Sequence, residues 1–536
     1  MIWLRNFMCL GVLTSLFVTV VSIESDGIIN IDVANWNETN NVFKIREILH
    51  GPTKIHIKNV YNFGFFIIQV HSFSNTVYLS PSNTSEDDNI GVNGTNIGLV
   101  QMITTDEFDF YLNGIDHTHV LIVVTGYDIK APIPGGCNLT FETEDAPYQK
   151  LHSSQDLITL DAQPPGVFPL ACESVNITID FYHLFLEEQD FTSESYFLGI
   201  EKMLTPENMI KYGRKIPKVT GVAPMRRYFV NYLGVGAVYG IVTDFHGFKS
   251  AYVPAVSYGC DIKDDNGCTG PTTTLWRVIC GFMAFYGCFL CFMGHRFFQF
   301  NLFCTGFIVS AILTYIVISY SNLTEWETMV TLGIVGIIYG GAWLLIWWKL
   351  KIPILSVTLT YFIAGFLIGG VFYYSGPADL SLFRSDTNFW SVLIGISLLI
   401  TILLLIISHW PSNIIATSFI GAYIFIIPFD LYFGGTLRYV ILNVIHRATI
   451  QHFKWAVVNP PYQSTDVTFM ISILLMAFLG MYIQWRHIKG RAPFPPSTNI
   501  LDRGNFGRVF VERNGRNYNQ TENTPLLRNI ERNVYG

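Results

Sequence analysis

The chain has 536 residues, of which 50% are hydrophobic and 14% are charged, and its mean hydropathy is +0.36. This balance is too apolar for a soluble protein of that length and indicates a membrane protein, and it also excludes a disordered chain. The net charge of −7 comes without a long Lys or Arg block, so the sequence predicts no nucleic-acid partner.

Residues 1–22 have the pattern of a secretory signal peptide. Arg5 precedes an apolar stretch from Phe7 to Val21, and small residues end the segment at Ser22. The alternative is a short uncleaved anchor, but the apolar stretch is shorter than the ~20 residues that cross a bilayer. We therefore expect a cleaved signal peptide and a mature N-terminus on the lumenal or extracellular side.

Residues 23–273 form the predicted ectodomain. Short runs of β-branched and aromatic residues, such as residues 65–70, alternate with Gly, Asn, Asp, Ser and Pro. This pattern predicts an all-β, β-sandwich-like fold. The segment is longer than one compact sandwich needs, and the polar, Pro-rich stretch 142–169 is the expected joint. We predict one module over 23–145 and a second β-rich module over 146–273.

Clustered sequons agree with a lumenal ectodomain, because N-glycans are added on that side of the membrane. The predicted glycosylation sites are Asn37, Asn83, Asn93, Asn138 and Asn176.

Four of the nine Cys lie in the predicted ectodomain, where oxidising conditions favour disulfides. Four thiols allow three pairings, and spacing alone does not decide among them. We favour Cys137 with Cys172 and Cys260 with Cys268, since each pair closes a local loop.

Three ectodomain patterns resemble ligand sites, and each has a structural alternative. Two His and an Asp at residues 116–119 have the chemistry of metal ligands, but a surface loop is the favoured interpretation. The acidic cluster at residues 187–190 lacks the spaced oxygens of a calcium loop, which favours a solvated face. Gly234, Gly236 and Gly240 do not have the spacing of a nucleotide loop. The chain contains no catalytic-serine or zinc-protease motif, so we predict no catalytic residue, cofactor, metal or enzymatic activity.

From residue 274 onward, seven apolar runs are each long enough to cross ~30 Å of hydrocarbon at ~1.5 Å per residue. With the N-terminus outside, seven spans place the C-terminus in the cytosol. Loops on the cytosolic side of a membrane protein are enriched in Lys and Arg, and Arg296, Lys349 and Lys351 lie on that side in this topology. The loop at 434–466 is the exception, because it is an outer loop that carries basic residues. The predicted spans are 274–293, 298–320, 329–348, 353–374, 389–408, 412–433 and 467–485.

The loop at 434–466 contains a predicted amphipathic helix. Two positions are open for it: flat on the outer membrane surface, covering the bundle, or packed on the ectodomain. Residues 459–462 read N-P-P-Y, which resembles an endocytic signal, but this topology puts them outside the cytosol and assigns them to loop structure. The apolar face of the helix comprises Leu437, Val440, Ile441, Val444 and Ala448.

Small residues at helical spacing indicate close helix packing in the spans. Gly336 and Gly340 are four residues apart, as are Gly365 and Gly369. The middle of each predicted span lacks Asp, Glu, Lys and Arg, which disfavours an ion-coupled carrier or pump. A passive pore or a lipid-facing scaffold stays open.

The predicted cytosolic tail covers residues 486–536. Nine Lys or Arg against four Asp or Glu give it a charge of +5, which suits the anionic inner face of the lipid bilayer. Glu522 stands four residues before the pair Leu526 and Leu527. This spacing fits the acidic dileucine pattern and predicts a clathrin adaptor as a partner of the tail.

Several stretches, in the same order along the chain, resemble the transmembrane 7 superfamily member 3 family. The resemblance implies a glycosylated seven-pass protein of the secretory pathway and cell surface without known enzymatic activity. It also implies links to cell survival, attenuation of unfolded-protein stress and regulated secretion. The tail is shorter and richer in Asn than the family's. The stretches are 294–298, 302–307, 347–348 before Pro353, 389–390, 442–448, 459–466, 490–496 and 524–527.

The preferred hypothesis is therefore a non-enzymatic seven-pass glycoprotein of the plasma membrane and/or endolysosomal and secretory-pathway membranes. Its ectodomain would bind a protein or matrix ligand. A G-protein-coupled receptor is the first alternative, although residues 347–349 read Trp-Trp-Lys instead of Asp-Arg-Tyr and the seventh span lacks an inner Asn-Pro-x-x-Tyr. A passive channel or lipid-handling protein is the second, and it would explain the Gly-rich spans.

Overall fold

The protein, seen in a computed structural model, has a β-rich N-terminal half and a helical C-terminal half. The described residues are 27–34, 42–82, 91–137, 147–154, 156–172, 175–262, 268, 274–321, 323–350 and 352–489. The predicted signal peptide and dileucine motif lie outside these residues, and so do the sequons at Asn37, Asn83 and Asn138.

Nine strands form a first sandwich of two sheets. One sheet has the order β1-β3-β8-β5-β6, with β1 and β3 parallel, and the other has the order β2-β9-β4-β7. The strands are β1 Ile28–Asp32, β2 Val42–Ile48, β3 Thr53–Lys58, β4 Phe65–Ser72, β5 Val77–Ser80, β6 Val92–Gly94, β7 Asn96–Met102, β8 Glu107–Gly114 and β9 His119–Tyr127.

A second sandwich follows, and it carries two short helices. Its sheets have the orders β10-β11-β14-β18 and β13-β12-β15-β16, with β17 also paired to β15. The elements are β10 Lys150–Ser153, β11 Leu157–Asp161, β12 Thr178–Phe185, α1 Ser193–Glu201, α2 Pro206–Tyr212, β13 Arg214–Ile216, β14 Arg226–Val230, β15 Ala237–Phe245, β16 Phe248–Ala251, β17 Ala255–Ser257 and, from far along the chain, β18 Ala456–Val457.

The stretch 142–169, expected as a joint, contributes β10 and β11 to the second sandwich. Residues before it also contact that sandwich, because Ile133 and Gly166 form an antiparallel bridge. Disulfides join Cys137 to Cys172 and Cys260 to Cys268, the same pairs that local loop closure favours.

Strand β9 is buried on both faces of its sheet. Successive side chains of a strand point to opposite faces, so alternate residues of β9 pack into two different cores. Val120, Ile122 and Val124 point into the core of the first sandwich. Leu121 and Val123 point the other way and pack against α1 of the second sandwich. The two sandwiches therefore share an apolar interface along this sheet.

Polar contacts surround that interface. The Arg46 guanidinium lies 2.7 Å from the Glu194 carboxylate and 2.6 Å from that of Glu201. The Tyr196 hydroxyl, which is buried, donates to Asn96 Oδ1 at 3.0 Å. These contacts fix the first sandwich on the second.

Seven helices in the described residues are long and apolar enough to cross a membrane, which confirms the predicted number. An eighth, short helix, α9, lies between the last two. The helices are α3 Thr274–Met293, α4 Phe298–Ile318, α5 Glu325–Leu350, α6 Pro353–Tyr374, α7 Asp386–Ile407, α8 His409–Tyr432, α9 Tyr439–Thr449 and α10 Ser464–Ile488.

The predicted glycines lie at helix contacts. A Cβ on Gly336 or Gly340 of α5 would meet the rings of Phe307 or Phe303 in α4. A Cβ on Gly365 of α6 would lie 2.6 Å from the carbonyl oxygen of Ser397 in α7. Glycine permits these close approaches because it has no side chain.

Gly369 also faces α7, where an added Cβ would lie 2.7 Å from Leu393. The tightest contact between helices, that of α3 with α8, was not predicted. A Cβ on Gly287 of α3 would lie 2.4 Å from the backbone nitrogen of Phe425, and a Cβ on Gly421 of α8 would lie 2.4 Å from that of Cys291. The α3–α8 pair is thus held almost backbone to backbone.

Candidate functional site

Residues 433–463, between α8 and α10, join the helical bundle to the second sandwich; we call them the connecting segment. Within it, β18 pairs in parallel with β14, with Ala456 opposite Tyr228 and Val457 opposite Phe229. A strand from the membrane domain thus completes an ectodomain sheet. The connecting segment and the surfaces it touches form the junction, which is the candidate site.

Helix α9 lies inside the junction. The Tyr439 hydroxyl accepts the backbone N–H of Leu233 from the second sandwich at 3.0 Å, and the Tyr439 ring packs edge-to-face on Tyr232. On the bundle side, Val440 contacts α6, where Gly370 leaves room for the Val440 carbonyl. The sequence left two positions open for this helix, and the structure combines parts of both: α9 covers the bundle while it packs on the ectodomain.

Glu188 ties the second sandwich to the start of α10. Its carboxylate accepts the backbone N–H groups of Ser464 at 2.9 Å and Thr465 at 3.0 Å, and both hydroxyls. Burial raises the pKa of Glu188, but these hydrogen bonds lower it by more, so the pKa lies below its ordinary value. A carboxylate here also matches the positive end of the helix dipole.

The expectation of a solvated acidic face at 187–190 is therefore wrong for Glu188, although Glu187 is exposed. The reason is long-range: the partners of Glu188 lie 276 and 277 positions away in the chain. Gln189 continues the contact, since its Nε2 donates to the Gly434 carbonyl at 3.4 Å.

Two buried carboxylates hold the connecting segment from the bundle side. Asp430 of α8 accepts the backbone N–H groups of Leu437 and Arg438 at 3.0 and 3.1 Å. Asp466 of α10 accepts the backbone N–H of Thr436 at 2.6 Å and its hydroxyl at 2.7 Å. Buried charge is retained where it is fully hydrogen-bonded, and here it fixes the turn before α9.

A third contact runs through three side chains. Arg214 of β13 donates to Asn459 Oδ1 in the connecting segment. The Asn459 amide nitrogen lies 2.7 Å from Nε2 of His183 in β12, and both residues are buried. Burial, and then the charge of Arg214, lower the pKa of His183 to about 3. The imidazole is therefore neutral in the docked junction.

Further ionic contacts frame α9. His446 lies 3.4 Å from the Asp156 carboxylate of the second sandwich, and burial lowers the pKa of His446 although Asp156 opposes it. Arg447 contacts the Asp386 carboxylate at 2.8 Å and donates to the Phe383 carbonyl at 2.9 Å. Lys454 Nζ also lies 3.9 Å from the Asp386 carboxylate, so two of the basic residues that made this loop an exception to the charge rule, Arg447 and Lys454, share an acidic partner.

A second polar cluster lies at the opposite end of the bundle. Gln484 of α10 accepts the backbone N–H of His295 at 2.9 Å and donates to the Cys291 carbonyl at 2.7 Å and to Ser418 at 3.0 Å. Asn413 of α8 donates to the His295 ring at 2.8 Å. This cluster cross-links α3, α8 and α10, and its close internal bonding fits a packing role.

The described residues offer little for metal binding. No three His, Cys, Asp or Glu side chains among them lie close enough together to hold an ion. His117 lies in the turn before β9 with a φ of 63°, and its ring packs edge-to-face on His50 at 5.3 Å between centroids. Asp116 and His117 thus form a surface turn, and His119 is exposed at the start of β9.

Two of the predicted glycosylation sites are described. Asn93 in β6 and Asn176 before β12 are both exposed, so a glycan can attach at either without unfolding the sandwich.

Three family comparisons cover most of the chain. Residues 37–127 match the family described as TM7SF3-like, N-terminal immunoglobulin-like domain, and residues 132–263 match the TM7SF3-like, second immunoglobulin-like domain. Residues 280–485 match the TM7S3/TM198-like domain. The two sandwiches are therefore immunoglobulin-like (Ig-like) domains.

Curated relatives extend this likeness over nearly the full length. A human protein named Transmembrane 7 superfamily member 3 is 29% identical in an alignment of 519 residues that covers 89% of each chain. Proteins of the same name from mouse and rat are 26% and 27% identical, over 87% and 82% of this chain and 90% and 84% of their own. These names describe transmembrane superfamily members and not enzymes.

Proposed function

Because the chain belongs to the transmembrane 7 superfamily member 3 family, we propose that it is a non-enzymatic membrane glycoprotein whose ectodomain binds a protein or matrix partner and is coupled to the seven-helix bundle. One observation carries the proposal: β18 completes a sheet of the second Ig-like domain. A domain that shares a sheet with the membrane domain cannot turn freely on a linker. A bound partner would therefore act on α8 and α10 as well.

The proposed topology has the N-terminus outside and the C-terminus in the cytosol. An odd number of spans and the Lys and Arg at the predicted inner ends support it. The tail then meets the anionic leaflet and exposes the dileucine motif to a clathrin adaptor. We place the protein in the plasma membrane and/or endolysosomal and secretory-pathway membranes. The processes in which it would act are those the family resemblance implies: cell survival, attenuation of unfolded-protein stress and regulated secretion.

The alternatives receive less support. Gly336, Gly340 and Gly365 are used in helix contacts, so a pore or lipid path is not needed to explain them. A G-protein-coupled receptor would have a charged motif at the end of α5. In this chain Trp347 lies there, buried, and packs edge-to-face on Phe298 with 5.0 Å between the ring centroids.

Site-specific photo-crosslinking of the full chain in living cells tests partner binding. A photoreactive amino acid would replace Tyr61 or Ile115, which are 64% and 63% exposed on the first Ig-like domain. The matched control is Ile338, which is 60% exposed on α5 and faces lipid in a membrane. We expect a discrete protein adduct, after deglycosylation, from at least one ectodomain position and none from Ile338. Absence of an adduct at both ectodomain positions would overturn partner binding by this domain.

A further inference from the structure

We propose that Arg214, Asn459 and His183 form an acid-released latch between the second Ig-like domain and the bundle. The latch holds the connecting segment on the domain at neutral pH and opens when His183 takes up a proton. It depends only on the docked arrangement of the junction, and it stands whether or not a partner binds the first domain.

The hydrogen-bond directions in the latch are forced. Arg214 is a donor only, so it must face the oxygen of the Asn459 side chain. That orientation turns the Asn459 amide N–H groups toward His183, whose Nε2 must therefore accept. A protonated imidazole carries hydrogens on both nitrogens and cannot accept. Rotating the Asn459 amide would turn its N–H groups toward Arg214 and break the hydrogen bond between these two residues, because both groups would then be donors.

In the described part of the chain, the surroundings supply no negative charge to a protonated His183 ring. Arg214 lies opposite His183 in the β12–β13 register, and Tyr239 lies opposite it in β15. The small cavity beside the ring is lined by uncharged residues, among them Tyr232, and both His183 Nδ1 and the Tyr232 hydroxyl are buried without a hydrogen-bond partner. The other lining residues are Phe185, Phe229, Val230, Tyr239, Val457 and Asn459.

Release of the connecting segment would uncover the ring, because Val457 and Asn459 form that side of the cavity. A solvated imidazole has a pKa of ~6.5, whereas burial in the docked state, and then the charge of Arg214, lower the pKa of His183 to about 3. The docked state therefore binds fewer protons and is disfavoured as pH falls below ~6.5, by about tenfold per pH unit. Between pH 7.0 and 5.0 the expected shift toward the released state is about 25-fold.

Neighbouring groups modify this dependence. His446 has a lowered pKa and adds to release in acid, as does Glu188 at pH values near and below its ordinary 4.5. Asp379, which accepts the Val458 N–H at 2.9 Å, works in the opposite direction: burial raises its pKa, so the docked state holds its proton more tightly. That opposing effect acts over the pH range in which Asp379 titrates, so the contribution of His183 is measured as the difference between the wild type and a His183 variant.

Hydrogen exchange of the full chain in lipid nanodiscs measures the latch directly. The observable is the protection factor, corrected for the intrinsic effect of pH, in peptides covering residues 455–463. We expect the part of it that depends on His183 to fall about 25-fold between pH 7.0 and 5.0, while peptides from β4 and β9 of the first Ig-like domain keep their protection.

Two variants separate the latch from general acid sensitivity. His183→Gln keeps an acceptor for Asn459 but cannot titrate, so most of the fall in protection should disappear. Asn459→Asp supplies a carboxylate that accepts from both Arg214 and a protonated His183, so acid should preserve or increase protection. His152→Gln, at an exposed position in β10, is the matched control and should behave as the wild type. An unchanged pH profile in both latch variants, or a wild-type profile that is flat, would overturn the proposal.

Discussion

The Glu188 carboxylate accepts the backbone N–H of Thr465 at 3.0 Å although the two residues lie 277 positions apart in the chain. One belongs to the second Ig-like domain and the other to the first turn of α10. The contact gives a helix of the membrane domain an N-terminal cap supplied by the ectodomain. Stability of that helix end and docking of the domain are thereby linked.

Replacing this cap tests the link. Glu188→Gln should lower the free energy of unfolding by about 1–2 kcal/mol, because the first N–H groups of α10 lose a charged acceptor. Thermal unfolding of the full chain in nanodiscs measures the change. Since the pKa of Glu188 is lowered, its contribution is present above 4.5 and is lost as pH falls below that value. Glu187→Gln, on an exposed neighbour, should change neither stability nor its pH dependence; equal losses in the two variants would contradict the capping role.

Features that follow from local sequence patterns could be predicted from the sequence, whereas contacts between residues far apart in the chain could not. The seven spans and the β-sandwich character are local patterns, and they were predicted correctly. A helix in the loop 434–466 was also predicted, but it buries Asn443 and Arg447 as well as Val440 and Val444, so its buried surface is wider than the predicted apolar face. The Gln463 to Asp466 spacing is also a local signal, a capping box at the start of α10, although it was not among the predicted features.

The junction itself had no comparable signal. Strand β18 has two residues, which is too short for a periodic pattern, and its partner β14 lies more than 200 positions earlier. His183 and Glu188 read as ordinary strand and loop residues, because their partners come from the connecting segment and α10. Before the fold was known, that region was marked by the amphipathic helix predicted in the loop 434–466 and by the resemblance of residues 442–448 and 459–466 to a known family.

Backbone contact between α3 and α8 should make Gly421 intolerant of any side chain. Gly421→Val places a Cβ 2.4 Å from the Cys291 backbone nitrogen, and we expect it to lower the unfolding free energy by about 2–3 kcal/mol. Gly395→Val is the matched control, because a Cβ there meets nothing within 4 Å while the change in helix propensity is the same. Comparable thermal stability of the two variants would show that the α3–α8 contact is looser than described.

Glycan attachment tests the proposed orientation of the domains. Asn93→Gln and Asn176→Gln should each remove one glycosidase-sensitive increment of mass, since both residues are exposed on the ectodomain. The sequon at Asn519 in the proposed cytosolic tail should carry none, so Asn519→Gln should leave the mass of the mature chain unchanged. A glycan at Asn519 would show that the tail is lumenal and would contradict the proposed topology.

The dileucine proposal concerns the tail alone. Leu526→Ala combined with Leu527→Ala should enlarge the cell-surface pool, because an adaptor would lose the apolar pair that it binds. Surface biotinylation of the tagged full chain measures this pool. Ile500→Ala with Leu501→Ala removes another adjacent apolar pair from the same tail, so it is the matched control and should leave the pool as it is in the wild type. An unchanged surface pool in the Leu526/Leu527 variant would contradict sorting by an adaptor that binds this leucine pair.

Docking of the second Ig-like domain on the bundle is the central claim, and a designed disulfide tests it most directly. Tyr228→Cys with Ala456→Cys puts two thiols on register partners in the parallel β14–β18 pair, where neighbouring strands lie ~4.8 Å apart, within disulfide reach. After proteolysis of the full chain from native membranes, we predict that a bond reversible by reductant links the two fragments, and that neither single-cysteine variant shows it. Two free thiols under mild oxidation would contradict the shared sheet and, with it, the coupling of ectodomain and bundle.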